Sequence, residues 1–330
     1  MNPREQFHDV MNFRKPSQRF PMVEWAYWWE KTHERWQQEG LPAELSRDDL
    51  WQYFGLDEFV CLLGMPRSGI QPPYHGGPII ANEEEYEALK PHLFSDVHIR
   101  NVKEQAEKWA ERHRKGEVIV RLWLDGFFWF PRTLLGIENH LYSFYDQPEL
   151  LHRMCGDLSE FNIRVMEELF PLLTPDMVGF GEDMSYNNGP MLSYAQFTEF
   201  LLPYYNKMVP YIKDRGITCW VDTDGDVSLM IPWLLEAGIQ GIYPLERQAG
   251  VDVAKIREEY PKLLMFGAYD KMVMSKGEEA MRSEFERLLP VMKKGGFMPS
   301  VDHQTPPGVS LENYRTYLRL YEEYCIKAAN

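Results

Sequence analysis

The sequence predicts a (β/α)8 TIM barrel, and three observations carry that prediction. About eight short apolar runs recur along the 330 residues. Each is followed by a stretch of helical periodicity, usually opened by a capping residue or closed by glycine. Nearly every run also ends in an acid or a histidine, which is how a parallel α/β protein presents chemistry at the carboxyl edge of its sheet. Alternating β and α implies a parallel sheet, and a count near eight fits a closed barrel better than an open one.

The elements follow in order. Residues 2–14 read as a short amphipathic helix, with Phe7, Val10, Met11 and Phe13 on one side, forming an N-terminal helical extension. Phe20–Glu24 reads as the first strand, and Trp25–Glu39 as a helix broken by Gly40-Leu-Pro42. Asp48–Phe54 is a short helix and Glu58–Leu63 the second strand. Residues 64–78, GMPRSGIQPPYHGGP, are loop. Helices are expected over Asn82–Leu89 and Val102–Lys115, then a strand over Glu117–Leu124 leading to Asp125-Gly126. Gln147–Phe170 is a long helix with Asp146 as its N-cap and Pro148 in its first turn. Asp176–Phe180 runs as a strand into Gly181-Glu182-Asp183. Ser193 and Gln196 form a capping box that opens the helix Tyr194–Arg215. The strand Thr218–Val221 ends in Asp222-Thr-Asp224-Gly225, ahead of a helix over Val227–Gly238. Further strands over Gly241–Leu245, Lys262–Phe266 and Phe297–Val301 end near Glu246, Asp270 and His303. The helices Val253–Tyr260, Glu278–Lys294 and Leu311–Ala328, the last capped by Ser310, complete the pattern. Nothing divides the chain, so residues 1–330 read as a single barrel domain.

Composition narrows the function classes. A formal net charge of −15 disfavours nucleic acid or an anionic membrane surface as the main partner. Cys61, Cys155, Cys219 and Cys325 form no C-x-x-C pair, which suits a reduced, cytoplasmic chain. The charged N-terminus lacks the apolar core of a signal peptide, and no run has the length of a membrane span. Walker, G-x-S-x-G and H-E-x-x-H motifs are all missing.

The strand ends carry Glu24, Asp125, Glu182, Asp183, Asp222, Asp224, Glu246, Asp270 and His303. In a barrel these converge on one pocket, where each is either catalytic or merely a helix cap or loop carboxylate. Crowded carboxylates hold protons, with raised pKa, or hold a metal. Asp222, Asp224, Glu246 and His303 form the natural metal set, suited to Zn²⁺ or a harder divalent ion. Alternatively, Asp224-Gly225 is a turn and His303 a hydrogen-bonded loop residue. Glu182, Asp183, Asp222 and Asp224 are the catalytic candidates. Trp25, Trp29, Phe127 and Trp129 belong to aromatic clusters beside the same edge, and with Glu24, Asp125 and Asp270 they are candidates for a substrate pocket.

An ordered set of motifs resembles the uroporphyrinogen decarboxylase-like superfamily. It comprises Met1-Asn-Pro-Arg-Glu-Gln-Phe7 with Lys15-Pro16, Tyr145-Asp-Gln-Pro-Glu-Leu150, Gly181-Glu-Asp-Met184, Gly189-Pro190 and Phe200-Leu-Leu-Pro-Tyr-Tyr205. Asp224-Gly225, Ile242-Tyr-Pro-Leu-Glu246 with Gln248-Ala-Gly-Val-Asp252, and His303 with Glu312-Asn313 continue it. The resemblance implies a (β/α)8 barrel that is either a porphyrinogen decarboxylase or a corrinoid-linked methyltransferase. The decarboxylases carry an R-Q-A-G-R motif after the first strand; here Glu24-Trp-Ala-Tyr-Trp-Trp29 takes its place. The methyltransferases carry a His-x-Cys pair and a late Cys, with a Glu between them in related barrels. Asp222, Asp224, His303 and Glu246 fall on those places, which moves the implied chemistry from thiol activation toward oxygen. The resemblance therefore implies a corrinoid-dependent methyltransferase. Its partners would be a corrinoid (cobalamin) protein and a small methyl donor or acceptor, favouring a methoxylated aromatic undergoing O-demethylation. Decarboxylation, transfer from corrinoid to tetrahydrofolate or a thiol, and a binding module for a corrinoid or tetrapyrrole remain the alternatives.

Overall fold

A computed structural model of the chain describes residues 1–66 and 69–330. Arg67 and Ser68, within the expected loop 64–78, lie outside the described residues. Seven strands make one parallel sheet: β1 Phe59–Leu63, β2 Ile119–Asp125, β3 Met177–Gly181, β4 Thr218–Asp222, β5 Gly241–Tyr243, β6 Leu264–Tyr269 and β7 Phe297–Val301. Each pairs with the next in the chain, so the sheet winds in one direction. The strands are nearly continuous apolar runs because both faces are covered, as a parallel sheet requires. Every residue of β3, MVGFG, is buried. Interior rings meet across the curl. Phe59 on β1 lies 5.3 Å from Phe266 on β6, and Trp123 on β2 lies 6.4 Å from Tyr243 on β5.

The expected first strand is the one that differs. Phe20–Glu24 is buried, yet it joins no ladder. Pro21 has no N–H to offer, and side chains take the place of a partner strand. Met22 N donates to the Asp57 carboxylate (2.8 Å), Val23 N to the Tyr321 hydroxyl (3.2 Å) and Trp25 N to Ser300 Oγ (3.3 Å). Asp57 N donates in return to Met22 O at 2.8 Å. The segment thus fills the seam between β1 and β7 without completing the sheet.

Most expected helices form. The Ser193–Gln196 capping box and the Ser310 cap are both present. The helix opened by that box is interrupted by a π-helical turn at Phe197–Leu201, ahead of Pro203. The helix expected from Trp25 begins only at Glu30, because the Trp25 backbone and indole are tied to Ser300 and Val301. Asp146 ends the helix Ile137–Asp146, and Gln147 is the N-cap of Pro148–Leu169. The N-terminal helix Pro3–Met11 docks beneath the barrel, where Asp176 accepts from Arg4 Nε and His8 Nε2 at 2.7 Å each. Among the described residues no helix is long and apolar enough to cross a membrane.

Candidate active site

At the carboxyl edge of the sheet lies a cavity of about 500 Å³. Glycine makes room for two rings beside it. Gly179 and Gly181 sit on the same face of β3, and a Cβ at either would lie 2.4 Å from the Tyr243 hydroxyl or the Trp123 ring. The indoles of Trp25, Trp123 and Trp129 line the space, and so do Glu182, Asp183, Asp222, Asp224, His303 and Arg121. Trp25 is fixed by its Nε1 hydrogen bond to Val301 O (2.7 Å) and packs edge-on against Tyr243 and His303.

Asp222 ends β4 and is buried. Burial, then the charges of Asp224 and Asp183, push its pKa well above the carboxylate range, and Arg121 only partly opposes this. Its carbonyl accepts from Glu182 N (2.9 Å) and Asp183 N (3.3 Å), which draws the two strand ends together. Asp183 adopts φ 43°, and burial with the nearby Asp224 raises its pKa to about 6. Arg132 stands 3.7 Å from the Asp183 carboxylate. His303 Nε2 faces Asp224 Oδ2 at 3.6 Å, and that contact raises the imidazole pKa against the opposing effect of burial.

Several predicted residues have other duties. Glu182 is raised to about 7 by burial, and four donors surround its carboxylate. Phe127 N and the Tyr205 hydroxyl donate to Oε1, while Phe128 N (2.7 Å) and Trp129 N (3.1 Å) donate to Oε2. Its oxygens accept these amides at the start of the helix Trp129–Leu135, and a Cβ at Gly126 would strike it at 2.0 Å. Glu24 lies behind the cavity, accepting from Ser300 Oγ (2.5 Å) and Val301 N (3.3 Å). Asp125 is fully buried at the end of β2 and does not line the cavity. Phe127 packs on Phe180, Tyr204 and Tyr205. Trp29 is exposed ahead of the helix Glu30–Gln38. Asp270 caps its own helical turn, accepting from Met272 N at 2.8 Å.

The four expected metal ligands do not come together as a set. Glu246 accepts from Gly225 N at 3.0 Å and from Lys271 Nζ at 3.4 Å, and Lys271 also reaches Asp302 at 3.3 Å. An ammonium therefore stands where the Glu246 carboxylate would have faced a cation. The chain bends at Gly225. Gly225 has φ 83°, and a Cβ there would meet the Tyr186 backbone at 2.5 Å. Among the described residues no group of three or more His, Cys, Asp or Glu is arranged to hold a metal ion. The residues present do not fit the expected ion.

Arg121 and Trp123 are cavity residues that the strand-end pattern passed over. The signal was an arginine inside the otherwise apolar run Ile119-Val-Arg-Leu-Trp-Leu124. A charge in a strand covered on both faces has to be met from the barrel interior.

Comparison with known proteins adds the family. The profile of "Uroporphyrinogen decarboxylase (URO-D)" matches residues 57–324. The chain belongs to the URO-D family. No curated protein matches it. Among solved structures, this URO-D family chain is similar to a B12-independent methionine synthase from Shewanella sp. W3-18-1. The TM-score is 0.46 at 12% identity, covering 95% of this chain and 94% of that one. A putative vitamin-B12 independent methionine synthase from Listeria monocytogenes gives a TM-score of 0.45 at 9% identity, covering 96% and 98%.

Proposed function

We propose that this URO-D family member is a methyltransferase. It moves a methyl group between a small methoxylated aromatic and the cobalt of a corrinoid held by a separate protein. What carries the reading is one cavity that joins indole walls to a buried carboxyl group, Asp222, whose pKa burial and the neighbouring acids raise. A space of about 500 Å³ takes one small flat molecule and leaves no room for a corrinoid macrocycle. The corrinoid therefore stays on its partner and addresses the mouth, where Tyr27 and Leu63 are exposed. When bound there, its reduced cobalt would supply the nucleophile that takes the methyl carbon.

The chain's own residues do the rest. Trp25, Trp123 and Trp129 hold the ring and exclude water. Asp222 gives its proton to the ether oxygen as the carbon–oxygen bond breaks, so that the departing electron pair is carried off as a neutral phenol. Asp183 lies next to it in charge, and the His303–Asp224 pair returns a proton from the mouth. The place of the decarboxylase arginine motif is held by Glu24-Trp-Ala-Tyr-Trp-Trp29, which weighs against a substrate bearing many carboxylates.

The test is to incubate the purified chain with a reduced corrinoid protein and a panel of methoxyarenes, following phenol release. Stoichiometric phenol is expected from at least one of them. No release from any methoxyarene would overturn the reading. Conversion of uroporphyrinogen to coproporphyrinogen would replace it with decarboxylation, and methylation of tetrahydrofolate would reverse the direction of transfer.

A further inference from the structure

Among the described residues Arg121 is the one strongly basic side chain built into the middle of a strand of the sheet, and it is only 6% exposed. Its Nε and Nη1 are buried, and no described residue accepts from them. Ring faces surround the cation, Trp123 at 5.2 Å, Phe59 at 5.4 Å, Tyr243 at 5.6 Å and Trp25 at 5.9 Å, and Cys61, the Tyr243 hydroxyl and Asp222 also act on its charge. Rings stabilise a cation through their faces but leave the in-plane N–H fork unused. Burying a guanidinium with donors unpaired is costly, and this one lines the cavity.

We propose that the molecule bound in this cavity carries a carboxylate, and that Arg121 is the residue that receives it. A planar carboxylate matches the guanidinium fork. A single negative charge suits the site better than a phosphate dianion, because Asp183 and Asp224 line the same space. The indoles of Trp25 and Trp123 bracket the cation, so the carboxylate belongs on a flat ring that enters between them. The ligand class is an aromatic monocarboxylate. This deepens the methyl-transfer reading by placing the methoxy group and the carboxylate on one ring, and it rests on that reading only for the methoxy group.

Equilibrium binding tests it without any corrinoid. Indole fluorescence of the wild-type chain is titrated with 4-methoxybenzoate and with its uncharged isostere 4-methoxybenzamide, and the titration is repeated with Arg121→Met and Arg121→Lys. The wild type should prefer the carboxylate by about 30-fold, the scale of a charge-assisted hydrogen bond. Arg121→Met should bring the ratio near one, and Arg121→Lys should keep part of it. Equal binding of the two probes by the wild type overturns the proposal, as does binding of neither, or a preference that survives in Arg121→Met. If Arg121→Met does not fold, the wild-type ratio and Arg121→Lys decide. Displacement of 4-methoxybenzoate by equimolar inorganic phosphate overturns the commitment to a carboxylate. Tight carboxylate binding without methyl transfer would sink the proposed function and leave Arg121's role standing; transfer from uncharged methoxyarenes alone would do the reverse.

Discussion

Asp176 stands at the amino edge of the sheet, one residue before β3, and Asp222 stands at the carboxyl edge as the last residue of β4. Both are buried, and burial alone would raise both pKa values. At Asp176 burial is outweighed by hydrogen bonds from His113 and His8 and by the charges of His113 and Arg4, so its pKa falls below the usual carboxylate range. Val120 N donates as well, at 2.8 Å. At Asp222 burial is reinforced by Asp224 and Asp183, and its pKa rises. The difference lies in the neighbours. Three side-chain donors from two helices tie Asp176 into the base of the barrel, whereas loop carboxylates crowd Asp222 at the mouth. A carboxylate held ionised fastens the fold, and one held protonated can give its proton away.

The largest expected effect is at the base. Asp176→Asn removes the charge that faces Arg4, His8 and His113 and should cost about 3 kcal/mol, the scale of breaking a buried ion pair. Denaturant unfolding measures it, and methyl transfer per folded molecule should be retained. Because the folded pKa is depressed, the stabilisation is complete above the ordinary unfolded value of about 4 and is lost as pH falls toward the folded one. Wild-type stability should therefore drop steeply below about pH 4, and the Asn variant should lack that component. A parallel acid profile for the two proteins would break the contrast.

At the mouth the order of effects reverses. If the proposed methyl transfer holds, Asp222→Asn should lower it by about 100-fold, the contribution of a positioned general acid, with little change in melting temperature. A variant that unfolds while its folded fraction stays active would make Asp222 a second Asp176.

Glu24 sharpens the comparison from the side of the fold. Burial raises it from 4.5 to about 7, against the opposing hydrogen bonds of Ser300 and the Tyr317 and Tyr314 hydroxyls. The sign is opposite to that of Asp176: its contribution is complete below the unfolded value and is lost as pH rises through the folded one. Glu24→Gln should therefore gain on the wild type by on the order of 2 kcal/mol between pH 5 and pH 8. Urea midpoints at the two pH values measure this. A constant difference would show that Glu24 is ionised throughout.

These contrasts also explain what the sequence could show. The strands β1 to β7 were legible because buried parallel strands are continuous apolar runs, and the capping box at Ser193 is a local signal. Phe20–Glu24 was not legible as a seam, because its partners Ser300 and Tyr321 lie at the far end of the chain. At the site, the convergence of Asp183, Asp222, Asp224 and His303 on one cavity followed from their shared position after strands. The commitment of Glu182 to backbone amides and of Glu246 to Lys271 did not. Phe127, the first amide that Glu182 accepts from, is 55 residues away, and Lys271 meets Glu246 across 25. Spacing carries no record of such pairings. Asp176 looked like an ordinary strand start, since its three side-chain partners come from the two helices packed beneath.

The smallest effect is the most discriminating for the base. Arg4 donates to Asp176 from a side chain that is 32% exposed, whereas that of His113 is 7% exposed. Solvent screens the Arg4 pair, so Arg4→Ala should cost no more than about 1 kcal/mol, and the steep loss of stability below pH 4 should persist. That outcome would assign the depressed pKa to His113, His8 and the Val120 amide, with the N-terminal helix assisting. If Arg4→Ala alone abolishes the acid slope, the docking of that helix is what holds Asp176 ionised, and removing residues 1–14 should then reproduce Asp176→Asn.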